Sequence, residues 1–139
     1  MELVAANGSN REYAVSLLEA SGLPIDLDGA EVYVARRGGN RVGCGGLEVH
    51  GSDALLRSIA VDSVVRGEGY GSEITDRLCA IAADRGVSGL YLLTTTAAGF
   101  FENRSFERID RERVPDPIAR TSQFTTTCPA SATCMRRVR

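Results

Sequence analysis

The sequence contains no lysine. All 16 of its basic residues are arginine, which excludes every mechanism that needs an ammonium side chain: Schiff bases, pyridoxal phosphate attachment, and the phosphate-binding lysine of a P-loop. A GC-rich coding sequence would account for the missing lysine, and the chemical exclusions hold whatever its origin. Histidine is almost as scarce. With His50 alone, a histidine-rich metal site is impossible and any catalytic triad would have to use that residue. The four cysteines, Cys44, Cys79, Cys128 and Cys134, form no CxxC pair, so a zinc site is poorly supported and no metal is expected. No apolar run approaches the ~18 residues of a membrane span. A basic excess is missing as well: the net charge is −2 with a pI of about 5.4, and a nucleic-acid binder usually carries basic clusters. Neither nucleic acid nor membrane is an expected partner. Met1-Glu2-Leu3-Val4 shows no basic region leading into an apolar stretch, so no signal peptide is expected, and the thiols should be reduced in the cytoplasm.

What is present suits one ordinary domain. The chain has 139 residues, 43% hydrophobic and 24% charged, and a chain of about 150 residues buries roughly 68–70% of its unfolded surface. A single domain over residues 1–139 is expected. Met1–Ala6 reads as a strand, and Asn7–Asn10 as a turn that offers a helix cap. Tyr13, Leu17 and Leu18 recur at helical spacing until Gly22. Glu31–Arg36 and Arg41–His50 read as a hairpin around Arg37–Asn40. Gly43, Gly45 and Gly46 make the return strand unusual, since glycine inside a strand marks a bulge or a close backbone approach. Ala54–Val61 is a further strand, and Ile74, Leu78, Ile81 and Ala82 share one helical face. Leu90–Leu93 reads as a strand, Ala97–Asn103 as a short helix, Phe106–Val114 as a strand, Ile118–Phe124 as a helical turn or two, and Ala132–Val138 as the last strand. The class is therefore α+β, a mixed α/β arrangement: a mostly antiparallel central sheet of roughly six or seven strands, flanked by helices, with one central βαβ unit. Successive strands before the second helix argue against a doubly wound dinucleotide fold.

The sharpest local feature is Arg66-Gly67-Glu68-Gly69-Tyr70-Gly71-Ser72, where a strand passes through a short loop into a helix. The first N–H groups of a helix have no intrahelical acceptor, and the helix dipole adds positive charge there. Glycines let an anion approach the backbone. The combination is a cradle for phosphate or pyrophosphate, with Arg66 placed to contact the anion or to orient the loop. A helix start with glycines kept for packing would look the same. The glycines are spaced two apart, which breaks the GxGxxG dinucleotide pattern.

This segment resembles the Q/R-x-x-G-x-G/A motif of the GNAT superfamily of N-acetyltransferases, with Arg66, Gly69 and Gly71 at the defined positions. Leu56–Asp62 resembles the family's fourth strand, and Ala97–Phe106 its A-x-x-F-Y-E-K-x-G-F segment. The order of elements is also similar. The resemblance implies acetyl-CoA as co-substrate and a small-molecule amine as acceptor. It places the pantetheine arm along Ile59, Ala60 and Val61, and the pyrophosphate on the N–H groups of Gly67, Glu68, Gly69, Tyr70, Gly71 and Ser72. The Val61 N–H would serve as oxyanion donor. There are two departures. The family's acidic tyrosine falls at Phe101, which would still border the cofactor, and its glycine falls at Ser105, where a positive φ would cost energy. Pro115–Phe124, Cys128–Arg136, Ala54–Ser58 and Thr94–Phe101 are similar to acetyltransferases encoded with arsenic-resistance genes, which implies an amino-acid-like organoarsenical as acceptor.

Glu48 and His50 lie two apart on one strand and are the candidate bases for the acceptor's ammonium proton; either could equally be a solvated strand residue. Arg57 interrupts an apolar strand, as an anion receptor for the substrate or as the ion-pair partner of a glutamate on a neighbouring strand. Two other functions stay open. Phe101 suits a non-catalytic acyl-CoA sensor, and Cys128 with Cys134 suits a thiol-based arsenical binder. A C-terminal strand at the sheet's edge could pair with a second copy as a homodimer.

Overall fold

Valine and tyrosine favour extended backbone, and Glu31–Arg37 forms a strand that pairs antiparallel with the glycine-rich segment after it. The structure, a computed structural model, describes residues 1–138. Its elements follow the predicted order. The strands are β1 (Glu2–Ala5), β2 (Glu31–Arg37), β3 (Asn40–His50), β4 (Asp53–Val61), β5 (Gly89–Thr94), β6 (Glu107–Arg108) and β7 (Thr133–Val138); the helices are α1 (Ser9–Ala20), α2 (Tyr70–Asp84), α3 (Ala98–Glu102) and α4 (Asp116–Ala119). The seven strands are ordered β1-β2-β3-β4-β5-β7-β6, and β4 pairs with β5 in parallel. This is the mixed, mostly antiparallel sheet that the sequence predicts. No helix among the described residues is long and apolar enough to cross a membrane.

The chain divides into two compact units. In the first (residues 1–48 and 56–81), α1 buries Ala14 and Leu18 against Leu27, Val34, Cys44 and Ala60. Each fully buried leucine of this kind contributes about 1.5–3 kcal/mol. Side chains alternate along a strand, so Gly43 and Gly45 present the opposite face of β3, where Ile74 and Leu78 of α2 lie against them. A Cβ at Gly43 would come 2.5 Å from the Ala60 carbonyl oxygen, and one at Gly45 would come 2.7 Å from Leu78 Cδ1. These glycines are the close approach that their place in a strand predicts.

The second unit (residues 49–55 and 82 onward) buries Leu55, Tyr91, Val114, Ile118 and Cys134 together. Two expectations are corrected here. The predicted strand over Phe106–Val114 is only β6. After it the Ile109 N–H donates to the Cys134 carbonyl at 2.9 Å, and Arg111–Arg113 coils into a 3-10 turn. Arg111 fixes that turn by donating to the Pro129 and Phe124 carbonyls, each at 2.9 Å. The apolar alternation read as strand is the turn's way of sending Val114 into the core. The C-terminal strand is not the edge of the sheet either. β7 lies between β5 and β6, so its pairing edge is partly used within the chain.

Ser105 sits at φ +72, the left-handed region. The reason is the end of α3. Phe106 N–H donates to Phe101 O at 3.1 Å and Ser105 N–H to Glu102 O at 3.2 Å, the bonding of a Schellman cap, whose turning residue is usually glycine. Phe106 closes the cap against Phe101, with ring centroids 5.8 Å apart. A left-handed L-residue costs about 1–2 kcal/mol, of which glycine's greater chain entropy would return about 0.5–1 kcal/mol. Ser105→Gly should therefore stabilise the protein by roughly 0.5–1 kcal/mol, read as a higher urea midpoint at unchanged slope. An unchanged or lower midpoint would show that the serine conformation carries no cost.

Candidate active site

The site is built where β4 ends. Asp62 N–H donates to Val42 O of β3 at 2.9 Å. Successive N–H groups of an extended strand point to opposite edges, so the Val61 N–H faces away from β3. Asp62 then turns the chain: its Oδ1 accepts from Val64 N–H at 3.1 Å and starts the 3-10 turn Ser63–Val65. Its Oδ2 accepts from the Tyr13 hydroxyl at 3.3 Å. Burial, and then the Asp62 charge, push the Tyr13 phenol above its usual range. Sequence reading missed this pair, although an aspartate two residues before a turn's N–H is a recognisable signal.

The glycine-rich loop has the backbone that its composition predicts. Gly67 and Gly69 stand at φ +88 and +81, and no atom lies within 4 Å of where either Cβ would be. Both glycines are exposed. Arg66 Nε lies 3.5 Å from the Val61 carbonyl, a long contact that turns this arginine back toward the strand end. Helix α2 opens at Tyr70 and closes its first bond from Glu73 N–H to Gly69 O at 3.2 Å, which leaves the N–H groups of the first turn aimed out of the helix. Arg37 grips both Glu73 carboxylate oxygens at 2.5 and 2.7 Å and lies over the Tyr70 ring, 5.7 Å from its centroid. The first turn is thereby held to β2. Beside the loop, Tyr13, Ser16, Leu17, Ser21, Asp62 and Arg66 line an open cleft of about 370 Å³.

Of the two places the sequence allows for Arg57, the structure shows the ion pair with a neighbouring strand's glutamate, Glu48. The pair is buried: Arg57 Nη1 donates to Glu48 Oε2 at 2.7 Å, with side-chain exposures of 0% and 6%. Arg57 Nη2 donates to the Asp26 carbonyl, and Nε to Ser58 Oγ at 3.2 Å. Every guanidinium nitrogen has a protein partner, so Arg57 is the ion-pair partner of the neighbouring strand's glutamate and not an exposed anion receptor. The Glu48 carboxylate accepts from that guanidinium and is almost wholly withdrawn from the surface.

His50 is half-buried at the end of β3 and belongs to the second unit. So does Phe101, which is buried and packed edge-on against Phe100 and Phe106. Burial pushes the Cys134 thiol up to about 11, and a protonated thiol is a poor soft-ion ligand. Cys128 donates to Gln123 Oε1 at 3.1 Å. Among the described residues no group of three or more His, Cys, Asp and Glu is placed to hold a metal ion.

In this α+β domain β4 thus leads through a loop of left-handed glycines into the N-terminus of α2. The chain matches the acetyltransferase (GNAT) domain family over residues 28–108, more than half its length, and it belongs to that family. An amino-acid acetyltransferase of Mycobacterium tuberculosis is 38% identical over 73 residues, which is 52% of this chain and 41% of that protein. An uncharacterized N-acetyltransferase of Chlorobaculum tepidum is 29% identical over 105 residues, 75% of this chain and 65% of that protein. The chain thus spans less than two thirds of the length of either relative. Among solved structures, Rv2747 from Mycobacterium tuberculosis in complex with CoA and NLQ aligns with a TM-score of 0.83 at 24% identity, over 100% of this chain and 99% of that one. N-acetylglutamate synthase from Neisseria gonorrhoeae, complexed with coenzyme A and N-acetyl-glutamate, aligns with a TM-score of 0.80 at 18% identity, over 99% of this chain and 34% of that one. These structural likenesses show the fold.

Proposed function

We propose that this protein works as one acetyltransferase domain that moves an acetyl group from acetyl-CoA to the amine of a small, amino-acid-like molecule. The observation that carries this is the loop Arg66–Ser72, with Gly67 and Gly69 in left-handed backbone ahead of the first turn of α2. Pyrophosphate would lie on those N–H groups, and the pantetheine arm beside Ile59, Ala60 and Val61. The names of the relatives, and the ligands recorded with the solved neighbours, support an amino-acid-like acceptor.

The chemistry asks little of the protein. The neutral amine nitrogen attacks the thioester carbonyl carbon, the C–N bond forms, the C–S bond breaks, and the thiolate of CoA leaves. Holding the reacting atoms about 3–3.5 Å apart supplies much of the rate. The Val61 N–H, pointing away from β3, is the donor for the developing oxyanion. The acceptor's ammonium proton goes to water before attack, and the proton left on nitrogen after the C–N bond forms goes to water as well, since Glu48 is committed to Arg57. Phe101 has no proton to give, and a free thiol with pKa about 8.5 can leave as thiolate unaided.

The test is release of free CoA in a panel of α-amino acids and an amino-acid-like organoarsenical, the latter included for the likeness of the C-terminal segment. Saturable turnover with an amino acid is the expected result. Saturable acetyl-CoA binding with no turnover on any amine would favour the acyl-CoA sensor that Phe101 suits. Failure of well-folded protein to bind acetyl-CoA would remove the cofactor assignment altogether.

A further inference from the structure

We infer that Arg57 is a positioning residue for acyl transfer: through its buried bridge it holds Ser58 in a left-handed kink that sets the course of Ile59–Val61. The inference rests on the acetyltransferase reading above. Ser58 stands at φ +59 inside β4, a conformation that L-residues adopt rarely and that persists only where the surroundings over-determine it. The surroundings do so. Arg57 Nε donates to Ser58 Oγ at 3.2 Å, and Cys44 Sγ donates to the Ser58 carbonyl at 3.3 Å. Burial pushes the Cys44 thiol up to about 12, so it remains a donor. Gly46 of β3 leaves the room the kink needs: a Cβ there would come 3.2 Å from the Arg57 carbonyl oxygen and 3.6 Å from Ser58 Cβ.

The guanidinium joins three segments at this point. Its other nitrogens reach Glu48 on β3 and the Asp26 carbonyl in the loop before β2. Gly29 of that loop, at φ +81, lies against the same carboxylate, where a Cβ would sit 3.4 Å from Glu48 Oε1. The bridge is buried, and the strand leaving it carries the Val61 N–H. A shift of about 1 Å in such a donor can cost about 10²-fold in rate.

Four variants test this: Ser58→Ala, Ser58→Gly, Arg57→Lys and the double Arg57→Lys/Ser58→Gly. Lysine keeps a cation beside Glu48, so no buried charge is stranded. Alanine and glycine both delete Oγ, but only glycine accepts φ +59 freely. Positioning predicts kcat about tenfold lower in Ser58→Ala than in Ser58→Gly. It predicts a similar fall in Arg57→Lys with the acceptor KM within about threefold, and recovery of kcat in the double variant. Urea midpoints check that each variant is folded. Equal loss in the two Ser58 variants overturns the inference, as does an acceptor KM raised about tenfold or more in Arg57→Lys at preserved kcat. Should Arg57→Lys not fold, the Ser58 pair decides alone. Wild-type protein with neither acetyl-CoA binding nor turnover would instead overturn the acetyltransferase reading, and this inference with it.

Discussion

Gly69→Glu is expected to abolish acetyl-CoA binding in titration calorimetry while the protein keeps its fold. The backbone at φ +81 makes any side chain there cost about 1–2 kcal/mol, a loss that a domain of this size tolerates. The space around the Cβ position is open, so no packing is broken. The larger effect is electrostatic. A carboxylate at the start of α2 takes up the free N–H groups and the positive end of the helix dipole, which a pyrophosphate would otherwise use, and it repels that anion. Affinity should fall at least ~100-fold, about 2.7 kcal/mol. Gly69→Ala separates the contributions, since it adds the backbone strain without the charge; a loss near tenfold is expected. Wild-type affinity in the glutamate variant would mean that this loop does not hold the anion.

Gly43→Ala should be the most damaging small change in the first unit. The added Cβ would stand 2.5 Å from the backbone oxygen of Ala60 and 2.9 Å from Ile74 Cδ1. Backbone cannot step aside as a side chain can, and overpacking of this kind costs about 2–3 kcal/mol. Gly45→Ala meets side-chain atoms and no backbone, Leu78 Cδ1 at 2.7 Å and Ile74 Cγ2 at 2.9 Å, and should cost about 1 kcal/mol. Urea denaturation of the two variants gives the comparison. Ala60 immediately precedes Val61, so Gly43→Ala should also weaken acetyl-CoA binding more than Gly45→Ala does. Equal midpoints would show that β4 can move away from β3 without penalty.

The loop at 66–72 was legible in the sequence because its cause is local: glycines that admit positive φ, followed at once by a helix start. The strands rich in valine and tyrosine, and the helical face of Ile74 and Leu78, were legible for the same reason. The glycines of β3 announced a close approach but not its partner. The strand expected over Phe106–Val114 misled because a 3-10 turn can imitate apolar alternation when distant carbonyls, those of Phe124 and Pro129, hold it through Arg111.

The sequence by itself determined the order of elements, the absence of lysine and histidine-cluster chemistry, and the left-handed glycine loop ahead of α2, since composition and short-range pattern suffice for these. Tertiary structure alone decided the fate of Arg57, Glu48 and Ser58. Arg57 meets a carboxylate nine residues before it and a carbonyl 31 residues before it. Only the register of β3 against β4, and the return of the loop before β2, bring those groups together and out of water. Burial then turns two candidate active-site charges into a bridge, because a desolvated guanidinium must satisfy its nitrogens within the protein.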